Sequence, residues 1–170
     1  MPKILHEPRE NILLAARTEL HEKGVNGFNI RDVAKLSGVA IGTIYNYYGD
    51  KYKLVVEVVK ELFKQKAEET IEAYPESLGL EDGIACIHSV LLAFKKEQED
   101  VLANIFTGNI KEGDIFLPGT LRLLEKALEV SKKRLGEEEK LFVAENILWS
   151  ALKDGAPVRI LQKVGVTLVD

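Results

Sequence analysis

The sequence predicts an all-α fold in two parts, on three observations. The first third contains two short helical stretches joined by a glycine turn. A wide apolar stripe at helical spacing follows from Leu54, and later segments keep that period. Strand-type alternation is nearly absent. We expect an N-terminal three-helix unit over residues 1–50 and a second helical unit over 51–170.

Residues 1–7 read as an arm. Pro8 to Lys23 forms the first predicted helix, with Ile12, Leu13, Ala16 and Leu20 on one face and Gly24 as the residue that ends it. Phe28 is expected as a core anchor, with an exposed apolar residue as the alternative. Asn29 is a good N-cap for a helix through Ser37. Gly38 sits where a tight turn needs positive φ. A second short helix runs from about Ala40 to Tyr48, and Val33, Val39 and Ile44 are placed to bury between the two. This is helix-turn-helix spacing, in which the second helix enters the DNA major groove. Such spacing also occurs by chance, so taken alone it leaves a plain surface turn open.

Asp50 caps a long helix whose stripe is Leu54, Val55, Val58, Val59, Leu62 and Phe63; it should stop at Tyr74-Pro75. Glu81 to Glu97 reads as helical, and Asp100 could cap a short helix through Ile105-Phe106. Gly108 to Gly119 reads as a loop. Thr120–Leu135 and Glu138–Leu152 read as amphipathic helices separated at Gly136. Gly155-Ala156-Pro157 is a further break, and Val158 to Val169 fits a helix or an extended segment.

The run Gly38-Val39-Ala40-Ile41-Gly42-Thr43-Ile44-Tyr45-Asn46-Tyr47-Tyr48-Gly49-Asp50-Lys51 resembles the DNA-binding domain of the TetR family of bacterial transcriptional regulators. The resemblance extends back through Ile12, Ala16 and Gly24 and covers roughly residues 8–60. It implies DNA contact at Tyr45 and phosphate contact at Thr43, Tyr47 and Lys51. It also implies close approach of the helix to the bases at Gly42. The helix outside carries Asn46 as well. Arg31 and Lys51 sit in the first turns of their helices, where a cation opposes the helix dipole, and a bound phosphate would account for both. Ala40 and Ile41 depart from the family, which often has serine and then a polar residue. Ile41 offers only an apolar contact, such as a thymine methyl. Tyr45 and Tyr47 lie two apart, about 200° around a helix, so at most one could be fully buried. Tyr48 stands where phenylalanine is usual and is expected in the core with its hydroxyl reaching solvent.

The resemblance further implies a homodimer paired through the last two long helices. Here that suggests an exposed face of Leu124, Leu128, Ile147, Leu148 and Ala151. It also implies a pseudo-palindromic operator and a small-molecule effector. An effector site is expected among Leu62, Phe63, His88, Leu91, Leu92, Phe106 and Trp149, mostly apolar; the alternative is that they fill a closed core. The long helix from Lys51 would be the lever between effector and DNA. Repression released by a hydrophobic ligand is the leading expectation. An architectural or cell-division factor of the same fold, acting through a protein partner, is the alternative.

Composition bounds the rest. With 170 residues, 46% hydrophobic and 29% charged, the chain can bury a sizeable core. Cys86 is the only cysteine, which excludes an internal disulfide and fits a reducing cytoplasm. No apolar run approaches the ~20 residues that span a bilayer, and no secretory leader is evident. Net charge is −4; residues 1–51 hold seven Lys/Arg against six Asp/Glu, a net +1, leaving −5 elsewhere. DNA affinity must therefore come from placed groups rather than a broad basic patch. Cys86 and His88 sit two apart on a helix and diverge, so a Cys–His pair is not expected. No catalytic constellation, cofactor motif or metal-ligand spacing is present, and we expect no enzyme activity.

Overall fold

A computed structural model describes residues 8–105 and 111–153. Among them are eight helices and no strand: α1 Pro8–Gly27, α2 Ile30–Ser37, α3 Ile41–Tyr48, α4 Lys51–Glu72, α5 Leu80–Glu97, α6 Glu99–Ile105, α7 Glu112–Ser131 and α8 Glu137–Leu152. The described residues fall into two compact units. One holds everything up to Glu61 together with α6 from Asp100; the other holds Leu62–Glu99 with α7 and α8. The division lies within α4.

In the first unit, local chemistry sets each boundary. Gly24 adopts φ 63°, so the regular part of α1 ends where the sequence placed its stop. The Asn29 side chain accepts from the Arg31 backbone N–H at 2.9 Å, which caps α2. Gly38 ends α2 in the left-handed region at φ 68°. The Ser37 hydroxyl accepts from the Val39 N–H at 3.3 Å and steadies that turn. Asp50 Oδ1 accepts from the Lys53 N–H at 2.9 Å at the start of α4. The core is Ile12, Ala16, Phe28, Val33, Ile44 and Leu54, all nearly inaccessible. Phe28 is thus the core anchor expected of it.

Tyr48 is buried as expected, and its hydroxyl donates to the Arg9 backbone carbonyl at 3.3 Å. A buried phenol needs a partner, and the first turn of α1 supplies one.

Lys23 ties α1 to α2. Its ammonium lies 2.8 Å from the buried Glu19 carboxylate and 2.9 Å from Asp32, which also pairs with Lys35 at 2.9 Å. The Lys23 and Lys35 ammoniums hydrogen-bonded to Asp32 hold its carboxyl down from 3.8 to about 2. The contact with Glu19, then that with Asp32, holds Lys23 well above the usual lysine range.

In the second unit the centre is aromatic. Phe63, Phe94 and Phe116 are buried and meet edge to face at 5.1–5.9 Å between ring centroids. Such pairs add to the area they bury. α7 comes against α4 at Gly119, where a Cβ would lie 2.7 Å from Phe63 Cε1. The expected loop over Gly108–Gly119 is corrected from Glu112 onward, and this close contact accounts for the glycine at 119. Residues 106–110 lie outside the described residues, but α7 is already helical from Glu112 and passes through Pro118. Pro118 and Asp114, whose carbonyl loses a donor to the proline, are both exposed, so the missing bond falls on the solvent side of the helix.

The expected dimer face is also corrected. Leu124, Leu128, Ile147, Leu148 and Ala151 are buried within the chain itself, where α5, α7 and α8 pack together. Periodicity identified an apolar stripe, and this chain's own helices cover it. The exposed apolar residues of α8 are instead Leu141, Phe142 and Trp149. The expected break at Gly155-Ala156-Pro157 and the segment Val158 to Val169 lie outside the described residues.

Two outcomes follow. Gly119→Ala should lower stability by about 1–3 kcal/mol, the usual cost of overpacking, as read by chemical denaturation. Because Asp32 has a depressed pKa in the folded state, its contribution is fully present above pH 3.8 and is lost as pH falls through about 2. Acid denaturation of Asp32→Asn should accordingly show a shallower loss across that window than the unaltered chain.

Candidate DNA interface

α3 has eight residues, too few to persist alone in water. Ile44 and Tyr48, one turn apart, are its buried edge, and every other side chain from Ile41 to Tyr47 is exposed or half-buried. Steps of about 100° per residue then sort the outside into three rows. Ile41 and Tyr45 lie along one flank. Gly42 and Asn46 lie in the middle, opposite the buried edge. Thr43 and Tyr47 lie along the other flank.

Tyr45 is 47% exposed and Tyr47 52%, so neither is a core aromatic. Tyr47 leans on buried Tyr48 at 6.2 Å between ring centroids, which limits its freedom without covering it. Nothing lies within 4 Å of where a Cβ on Gly42 would stand, so the glycine keeps the middle of the helix low and bare. Ala40 caps α3 with no side-chain bond. The first amides of the helix are consequently left for solvent or an anion.

The placed cations are few. Arg9 pairs with Glu57, Lys35 with Asp32, Lys53 with Asp50 and Lys60 with Glu57. Arg31 is exposed in the first turn of α2 and, among the described residues, makes no ion pair. Lys51, in the first turn of α4, has its ammonium 5.6 Å from the centre of the Tyr52 ring. Tyr52 is 52% exposed and belongs to this surface, although sequence reasoning passed over it. An aromatic next to a first-turn lysine was the available signal. The structure thus places Gly42, Tyr45 and Asn46 together on the recognition helix, Thr43 and Tyr47 on its flank, and Arg31 and Lys51 at the starts of the helices before and after it.

The expected effector residues differ in exposure. Phe63, His88 and Leu91 are buried in the second unit, Leu62 and Leu92 are half-buried, and Phe106 lies outside the described residues. Trp149 is 45% exposed on α8, with the Lys153 ammonium 5.5 Å from its ring centre. It does not line the interior. Phe94 and Phe116 line it instead. Burial pushes the half-buried Cys86 thiol up, away from the thiolate form that reacts. Among the described residues, no three His, Cys, Asp or Glu side chains gather to hold a metal. No described helix is long and apolar enough to cross a membrane.

Comparison with known proteins bears on the same segment. The family model for bacterial regulatory proteins of the tetR family matches residues 12–58, which run from α1 into α4. The HTH-type transcriptional regulator BetI of Vibrio vulnificus is 25% identical over 94% of this chain and 82% of its own length. The uncharacterised HTH-type transcriptional regulator YhgD of Bacillus subtilis is 26% identical over 69% of this chain; the match spans 61% of that relative. In fold, a crystal structure of RolR without ligand superposes with a TM-score of 0.60 at 15% identity, covering 95% of this chain and 99% of that one. A TetR transcriptional regulator from Rhodococcus sp. RHA1 gives 0.56 at 18% identity, covering 92% and 91%. A helix-turn-helix with its second helix bared, among described residues that are otherwise helical, agrees with these likenesses: residues 12–58 match the tetR-family model, and the chain as a whole is similar to HTH-type transcriptional regulators.

Proposed function

We propose that the chain is a homodimeric, cytoplasmic repressor that binds a pseudo-palindromic operator and is released from it by a small apolar ligand. The observation that carries the DNA half is the outer face of α3. That face holds two tyrosines and an asparagine in solvent beside a glycine. Gly42, Tyr45 and Asn46 face the bases. Thr43, Tyr47, Arg31 and Lys51 hold phosphates and set the register, carrying no sequence information themselves.

One helix-turn-helix reads few base pairs, so useful specificity calls for two, with half-sites about 34–36 Å apart per turn. The exposed Leu141, Phe142 and Trp149 of α8 support a second copy at that face. The ligand half rests on the interior of the second unit. Phe63, Leu91, Phe94 and Phe116 make it largely apolar, and the buried His88 and Thr120 are polar groups within it. Because α4 contributes residues to both units, repacking around Phe63 acts on the first unit through a continuous helix. Ligand and operator must then weaken each other's binding by the same factor.

Tyr45→Ala should weaken binding to a selected operator by at least about 1 kcal/mol, measured by fluorescence anisotropy. Lys51→Ala should weaken binding to all duplexes and flatten the salt slope by about one unit. Operator binding by both variants equal to that of the unaltered chain would sink the assignment. Light scattering at micromolar protein should give a dimer mass, and Phe142→Glu combined with Trp149→Glu should give a folded monomer. A monomer mass for the unaltered chain would reject the homodimer.

A further inference from the structure

The proposal concerns which bases α3 reads, and it rests on the operator-binding reading above. From Ile41 to Tyr48 the helix holds no Arg, Lys, Asp, Glu, Gln or His. That absence is chemically specific. In the major groove, guanine is distinguished chiefly by Arg or Lys bonded to its O6 and N7, and cytosine by a carboxylate that accepts from its N4 amine. α3 has neither tool. The neighbouring cations do not substitute. Arg31 lies in the first turn of the preceding helix, which crosses the backbone in this motif, and Lys51 lies in the first turn of the next.

What α3 does present has its own code. Ile41, 39% exposed at the first position of the helix, offers only methyl and methylene groups. In the major groove their counterpart is the thymine C5-methyl, which no other base carries. Asn46, in the middle row, has the paired donor and acceptor that match adenine N6 and N7. Gly42, one turn before Asn46, adds no side chain that would hold the helix off the base edges. The Tyr45 hydroxyl donates to acceptors that adenine, guanine and thymine all expose, so it adds affinity with little discrimination.

We infer that the base pairs under α3 are A·T pairs, with Ile41 selecting a thymine through its C5-methyl and Asn46 selecting an adenine. Readout at this helix is then by methyl contact and one amide, with specificity-determining residues that carry no charge.

The test is selection from random duplexes with the full chain, followed by anisotropy on the selected duplex at fixed salt with each thymine replaced in turn by deoxyuridine. The half-site should carry A·T pairs at the positions whose preference changes in Ile41→Ala and Asn46→Ala. Loss of one methyl contact should cost the unaltered chain about fourfold in affinity at one thymine or more. That sensitivity should vanish in Ile41→Ala, an exposed site whose truncation opens no core cavity. Asn46→Ala should relax the preference at the adenine by about tenfold. Guanine or cytosine at the positions those variants alter would overturn the inference, as would deoxyuridine tolerated everywhere. A chain that enriches no sequence would instead reject sequence-specific regulation itself, and this inference with it.

Discussion

The burial of Ile44 and Tyr48 is the constraint on which the DNA-facing half depends. An eight-residue helix has little stability of its own, since few hydrogen bonds offset the entropy of forming its first turn. α3 exists because those two side chains are buried in the core and the Tyr48 hydroxyl is tied to α1 at the Arg9 carbonyl. The same two anchors fix the rotation of the helix. With Ile44 and Tyr48 inward, Gly42 and Asn46 must face out. Stability and presentation are one decision here, made by two residues one turn apart.

Charge is used sparingly around that helix. Arg9, Lys35, Lys53 and Lys60 are spent on intramolecular pairs, and the Lys23 link between Glu19 and Asp32 is structural. Surface pairs of this kind contribute little stability individually. Near-neutrality itself comes from composition, a net charge of only +1 over residues 1–51. Association with DNA in such a domain leans on aromatic hydroxyls, backbone amides and shape more than on counterion release.

The first unit was legible in the sequence because its boundaries are local. Asn29, Gly38 and Asp50 each act on backbone groups within three residues, and all three do what their residue types imply. The second unit was less legible because its decisive contacts are long-range. Gly119 looked like a loop residue until the Phe63 ring gave it a reason to lack a Cβ. Leu124 and Ile147 lay on apolar stripes, but a stripe does not say which molecule covers it. Trp149, expected among the effector-site residues, stands outward. On the DNA side, Tyr52 was overlooked because an exposed aromatic has no local signature apart from its neighbour, Lys51.

The second unit has a different economy. Its three phenylalanines interlock edge to face from three helices, so displacing one ring disturbs the other two. Packed interiors of this kind change between discrete arrangements rather than deforming smoothly. The claim on which the account turns is nevertheless the anchoring of α3. It is tested most directly by amide hydrogen exchange, with operator affinity measured alongside, in Ile44→Ala and in the unaltered chain. The account predicts that α3 amides lose protection and operator affinity falls with them, while α5, α7 and α8 stay protected. Undiminished operator binding by a chain whose α3 amides exchange freely would contradict it.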